Sequence, residues 1–172
     1  MALKTLDEEN ILSPHIVDYL EGLAGDSPAP ADRMESMAEK RDFPIVGPIV
    51  GRFLKLMTSL MKPTRIVEMG SGFGYSAFWF GQGSARTEIH LTDRDQNNLD
   101  QAREFLQETN HPDRYHYHVG NAINTVEDVQ GPVDCVFIDM KKNQYTKALS
   151  WAQHRLPPGG WLIADNVLWK GQ

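Results

Sequence analysis

The sequence predicts an α/β fold, a doubly wound and mostly parallel sheet with helices on both faces. Three observations carry that expectation. From Arg65 onward, short apolar, β-branched runs alternate with longer segments of helical period. The first run, Arg65-Ile66-Val67-Glu68-Met69, opens directly into Gly70-Ser71-Gly72-Phe73-Gly74, the pattern of a strand, a tight turn and a helix N-terminus. Three later runs end on carboxylates, Asp93, Asp139 and Asp165, at the strand ends where such sheets bind ligands.

Each element follows in order. Residues 1–40 are charged and helical in rhythm, with Ile16, Tyr19, Leu20 and Leu23 at helical spacing after Ser13-Pro14, which fits an N-cap and first helical position. Ser27-Pro28-Ala29-Pro30 breaks that helix, and 31–41 predicts a second, polar one with Met34 and Met37 on one side. Residues 1–40 are expected to form a helical cap or subunit contact, and 41–172 the cofactor-binding domain, within a single domain overall. Residues 43–51 read as an apolar loop leading into a helix at 52–61, which Lys62-Pro63 ends. Strands are expected at 65–69, 88–92, 115–119, 133–138 and 161–164. Helices are expected from about Tyr75, at 96–108 with Leu99, Ala102 and Leu106 inward, at 123–129 and at 143–156.

Composition narrows the partners. A formal net charge of -6 and a pI near 5.5 argue against a nucleic-acid partner, whose surfaces require clustered Lys and Arg. The single cysteine, Cys135, lies in an apolar run and has no internal disulfide partner, which points to a cytoplasmic protein. No apolar stretch reaches membrane-spanning length, so no membrane partner is expected.

The glycine turn selects its cofactor by what it lacks. In a dinucleotide fingerprint the glycines run G-x-G-x-x-G; here the third comes one place early, and Tyr75 stands where that glycine would be. Glu68, two residues before Gly70, would repel a pyrophosphate but suits a cationic amine. S-adenosylmethionine offers such an amine and carries no phosphate. Asp93, about nineteen residues past Gly74, stands where an acid takes ribose hydroxyls. A second constellation, Asp139 and Asp165-Asn166, offers oxygen donors at two strand ends and suits a hard divalent cation, Mg²⁺ first, then Ca²⁺ or Mn²⁺. An Asp-Asn pair after a strand is also an ordinary turn cap.

From about Val46 to Trp169 the chain resembles the divalent-metal-dependent O-methyltransferases of the catechol and caffeoyl-CoA type. The matching stretches are Val46-Gly47 through Gly51, Glu68-Met69-Gly70 through Gly74-Tyr75-Ser76, Asp93, Gly120-Asn121-Ala122, Asp139 with Lys142 and Tyr145, and Asp165 through Gly171. The resemblance implies a class I methyltransferase, Rossmann-like domain. It further implies that Val46, Glu68, Gly70, Ser71 and Ser76 hold the methionine end of S-adenosylmethionine, with Asp139 alongside. Asp93 would take the ribose, and Asn121 and Ala122 the adenine. Asp139, Asp165 and Asn166 match the family's metal ligands, and Lys142 its general base, so Lys142 and Asp139 are the implied catalytic residues. The implied acceptor is a small aromatic diol, and because family members are frequently dimers the resemblance allows a homodimer.

The chain also departs from the family pattern. Met140-Lys141 stands where the family often has Ala-Asp, and Lys170 where the caffeoyl-CoA type commonly has Asn. Family members continue past the position of Gln172 with two strands and a helix, so the usual C-terminal strands of the sheet are expected to be missing. Two other readings stay open at this point: a transfer-RNA hydroxyuridine O-methyltransferase, for which Lys141, Lys142 and Lys170 would form a basic patch, and a truncated cofactor-binding module without turnover.

Overall fold

A computed structural model of the chain describes residues 13–167. Five parallel strands form one sheet in the order β3-β2-β1-β4-β5: β1 Arg65–Met69, β2 Glu88–Asp93, β3 Tyr115–Val119, β4 Cys135–Ile138 and β5 Trp161–Ala164. The strand order reverses between β1 and β4, which makes the end of β1 the switch point of a doubly wound sheet. Strand β1 carries apolar residues on both sides, Ile66 on one and Val67 and Met69 on the other, because both faces are covered. Ile66 enters one core with Leu54, Phe78, Phe80 and Phe137; Val67 and Met69 enter the other with Val136, Ile138 and Trp151.

The helices are α1 Pro14–Ala24, α2 Ala31–Arg41, α3 Gly47–Met61, α4 Tyr75–Gly83, α5 Gln96–Leu106, α6 Ala122–Thr125 and α7 Tyr145–Arg155. The α4 helix follows the glycine turn into the core and buries every residue from Tyr75 to Gly81, which is why its sequence is apolar all round. The α2 helix buries Ala31, Met34 and Ala38. The α1 helix rests against α3 and leaves Ile16, Tyr19 and Leu23 exposed, so its helical spacing sets its conformation without a buried face.

Several boundaries differ from expectation. The apolar stretch 43–51 is a loop only as far as Val46; from Gly47 it is the first turn of α3. Pro48 permits this, because a proline in the first helical turn gives up an N–H that had no partner there anyway. The helix expected at 123–129 is the four-residue α6 followed by a 3-10 turn, Val126–Asp128. The one expected at 143–156 starts with a 3-10 turn, Lys142–Gln144, before α7. Strand β4 begins at Cys135, two residues later than expected; just before it, Asp134 Oδ2 accepts from the N–H groups of Thr64, at 2.6 Å, and Arg65, at 3.1 Å. Pro14 occupies the expected start of α1, but the Ser13 side chain makes no cap bond. Trp169 and Lys170 lie outside the described residues.

Candidate active site

Register gathers the site. Met69 lies opposite both Thr92 and Ile138, and Ile138 opposite Ala164. The residues that follow, Gly70, Asp93, Asp139 and Asp165, therefore emerge side by side at one edge of the sheet. Backbone bonds fix them there: Asp139 N donates to Met69 O at 3.0 Å, and Asp165 N to Ile138 O at 3.0 Å.

The glycine turn is sewn to the tip of β2. The N–H groups of Gly70 and Ser71 donate to Thr92 O at 3.1 and 2.9 Å, and Thr92 N donates back to Ser71 Oγ at 3.0 Å. Gly72 N donates to Asp93 Oδ2 at 3.0 Å, while Asp93 Oδ1 accepts from Asp95 N at 2.8 Å and Asn98 Nδ2 at 3.2 Å. Gly70 cannot be another residue. Its φ is 94°, and an added Cβ would lie 2.1 Å from the carbonyl oxygen of Asp139.

Glu68 lies fully buried beneath this turn. Ser76 Oγ donates to its Oε1, whereas Oε2 is buried with no partner. Burial pushes its carboxyl up to about 7, against the hydrogen bonds from Ser76 and Ser71, and the charges of Asp139 and Asp93 push the same way. A cation brought to the free oxygen would relieve that state.

On the other side of the switch point, burial and then the neighbouring Asp165 raise the Asp139 carboxyl to about 6, with Lys142 opposing. Asn166, held at φ 50°, donates from Nδ2 to Asp165 Oδ2 at 2.9 Å. Two carboxylates and an amide oxygen make an all-oxygen donor set suited to a hard divalent cation.

One cavity of about 520 Å³ joins the two halves. Of the residues expected at the site, Val46, Gly70, Ser71, Ser76, Asp93, Ala122, Asp139, Lys142, Asp165 and Asn166 line it. Glu68 lies under its floor. The Asn121 side chain is directed to its own helix, where Oδ1 accepts from Ile123 N at 3.2 Å and caps α6.

Residues 67–167 match the family model described as a methyltransferase domain. The chain belongs to this family. A catechol O-methyltransferase of Niastella koreensis is 30% identical over 132 residues, a match covering 74% of this chain and 60% of that protein. A methyltransferase from Geobacter sulfurreducens has the same fold at TM-score 0.83 and 28% identity, over 92% of this chain and 84% of its own. An O-methyltransferase from Bacillus cereus, solved in complex with SAH, aligns at TM-score 0.82 and 25% identity, over 91% and 74%. This chain thus spans 60% of the length of the Niastella relative.

In this methyltransferase domain several site residues went unmarked by sequence reasoning. Phe43 and Ile45 form one wall of the cavity, with the Phe43 ring 4.9 Å from that of Phe73. Their signal was the unusual apolarity of 43–51. Met140 also lines the cavity. Arg94 and Gln144 also line it, and nothing in their sequence surroundings marks them. Tyr145 stands out by its bonds. Its hydroxyl donates to Asp165 O at 2.9 Å and accepts from Lys142 Nζ at 2.7 Å. Lys142 Nζ also donates to Asn166 Oδ1 at 3.1 Å, so Tyr145 and Asn166 together fix the amine at the cavity wall.

Proposed function

We propose that the chain is a metal-dependent O-methyltransferase that moves a methyl group from S-adenosylmethionine to a hydroxyl of a small catechol-like aromatic diol. The observation carrying this reading is the shared cavity: a glycine turn over a half-partnered buried glutamate on one side, and Asp139, Asp165, Asn166 and Lys142 on the other. The relatives' names agree, and the Bacillus cereus protein holds SAH, the donor without its methyl. The division into a helical cap, residues 1–40, and a methyltransferase domain from 41 onward belongs to the same reading. Within it α2 packs on the rest of the domain, burying Ala31, Met34 and Ala38 and accepting at Glu35 from the Tyr75 hydroxyl.

The residues fit both groups. Glu68 Oε2 would meet the donor's ammonium, Asp93 its ribose and Ala122 its adenine. Asp139, Asp165 and Asn166 would hold Mg²⁺, and its charge would relieve the repulsion between the two carboxylates. When bound, S-adenosylmethionine supplies a methyl already activated by its sulfonium. When bound, the cation supplies chelation of vicinal oxygens and makes the hydroxyl more acidic. The chain's own part is orientation and proton transfer. Lys142, in its neutral form, takes the hydroxyl proton, and Tyr145 and Asn166 hold the amine in place for it. Phe43, Ile45 and Met140 give the aromatic ring an apolar wall.

The test is product mass spectrometry over a panel of diols and monophenols. Chelation should abolish methylation of the diols and added Mg²⁺ restore it, with monophenols unreactive throughout. Lys142→Ala should lower turnover across the pH range. Full activity after chelation would overturn the metal assignment.

A further inference from the structure

Away from the cavity, one face of β2 and β3 carries histidines side by side. His90 lies opposite His116 in the parallel register, and His118 opposite Thr92. Glu88, two residues before His90, projects on the same face. The His90 ring stacks on His116 with centroids 4.6 Å apart, and on His118 at 5.1 Å. One ligand atom each from Glu88, His90 and His116 come within 4.8 Å of one another.

His90 is the informative member. It is 9% exposed, and its Nε2 is buried without a partner. Buried polar atoms in folded proteins are nearly always partnered, so this nitrogen requires an explanation. Its other nitrogen, Nδ1, lies 2.9 Å from His118 Nε2. When Nδ1–H donates to His118, Nε2 is left as a bare lone pair. That is how a metal-binding histidine is held, with one nitrogen free and the other donating to a fixed acceptor. Arg65 occupies only one oxygen of Glu88, with Nε and Nη2 both donating to Oε2, which leaves the other oxygen available.

We propose that Glu88, His90 and His116 form a second metal site on the β2–β3 side of the sheet, separate from the cavity. It would take a borderline divalent transition ion, Zn²⁺ first, with two imidazole nitrogens, one carboxylate oxygen and a water. The donor chemistry sets the choice: imidazole favours zinc and its neighbours over Mg²⁺, which prefers the all-oxygen set at Asp139 and Asp165. Tetrahedral ligands about 2.0–2.1 Å from zinc lie roughly 3.4 Å apart, so the triad must close slightly. Glu88 and His116 are only partly buried and have room to do so, while His90 stays anchored by His118. A cation there would pin the edge strand β3 to β2.

The test uses the tag-free full chain, stripped of metal and returned to saturating Mg²⁺ so that the oxygen site is filled. Titration with Co²⁺ should give the visible absorption of a four-coordinate imidazole site, at one equivalent, displaced by Zn²⁺. His116→Ala and Glu88→Gln change partly exposed residues and should weaken binding by about tenfold or more, with circular dichroism unchanged. His118→Ala, the positioning residue, should weaken it less. Absence of the Co²⁺ band overturns the site. So does affinity equal to the parent in both His116→Ala and Glu88→Gln, or loss of the band in Asp165→Asn instead.

Discussion

At Glu68 the fold buries a carboxylate and leaves one of its oxygens unpartnered. Its folded pKa, about 7, stands above the ordinary 4.5, so the folded chain holds this proton more tightly than the unfolded chain does. The contribution to stability is therefore fully present below about 4.5 and is lost as the pH rises through 7. Above that, the buried charge costs roughly 3 kcal/mol. Glu68→Gln should accordingly melt several degrees higher than the parent at pH 8, the difference vanishing near pH 5, and should bind S-adenosylmethionine at least about tenfold more weakly. Thermal melts across pH and calorimetry check the two halves. Residues of this kind were legible because a strand followed by a turn announces its own tip: Glu68, Gly70, Asp139 and Asp165 could all be marked from their neighbours. His90, His116 and His118 could not. In Ile89-His90-Leu91 and Tyr115-His116-Tyr117-His118 nothing tells which strands adjoin, and only the register brings those rings together.

Among the elements, the short 3-10 turn Lys142–Gln144 has the greatest effect on the site. By delaying α7 until Tyr145 it lets the Tyr145 hydroxyl reach back to Lys142 Nζ and across to Asp165 O. Tyr145→Phe removes these bonds without opening a cavity. It should cost only about 1 kcal/mol of stability, yet lower turnover by roughly tenfold to a hundredfold through the freed lysine. A fall in turnover with KM unchanged would mark this as positioning of the amine, and unchanged turnover would remove the Tyr145 hydroxyl from that role. The sequence showed that a helix follows Asp139 but not where it starts, because the choice between 3-10 and α winding rests on hydrogen bonds to distant strand ends. The start of α3 was misread for a related reason. Proline and glycine at 47–51 look like loop residues until Pro48 is seen to stand in a first turn.

For the molecule as a whole, alternation of strand and helix was enough to foresee a parallel, doubly wound sheet, since parallel strands need crossovers and crossovers of this length are helices. The lateral strand order is a different matter, because it depends on which way each crossover turns. That order decides the site, since the reversal between β1 and β4 brings the glycine turn and Asp139 together. They meet so closely that Gly70 leaves no space for a methyl group before the Asp139 carbonyl. If the proposed donor and cation sites are both real, this close contact gives each a direct mechanical link to the other. Calorimetry of S-adenosylmethionine with and without Mg²⁺ should show each ligand tightening its companion by the same factor, as any closed thermodynamic cycle demands. Such reciprocity would make the protein an all-or-none receiver, in which a half-loaded molecule is the scarce species.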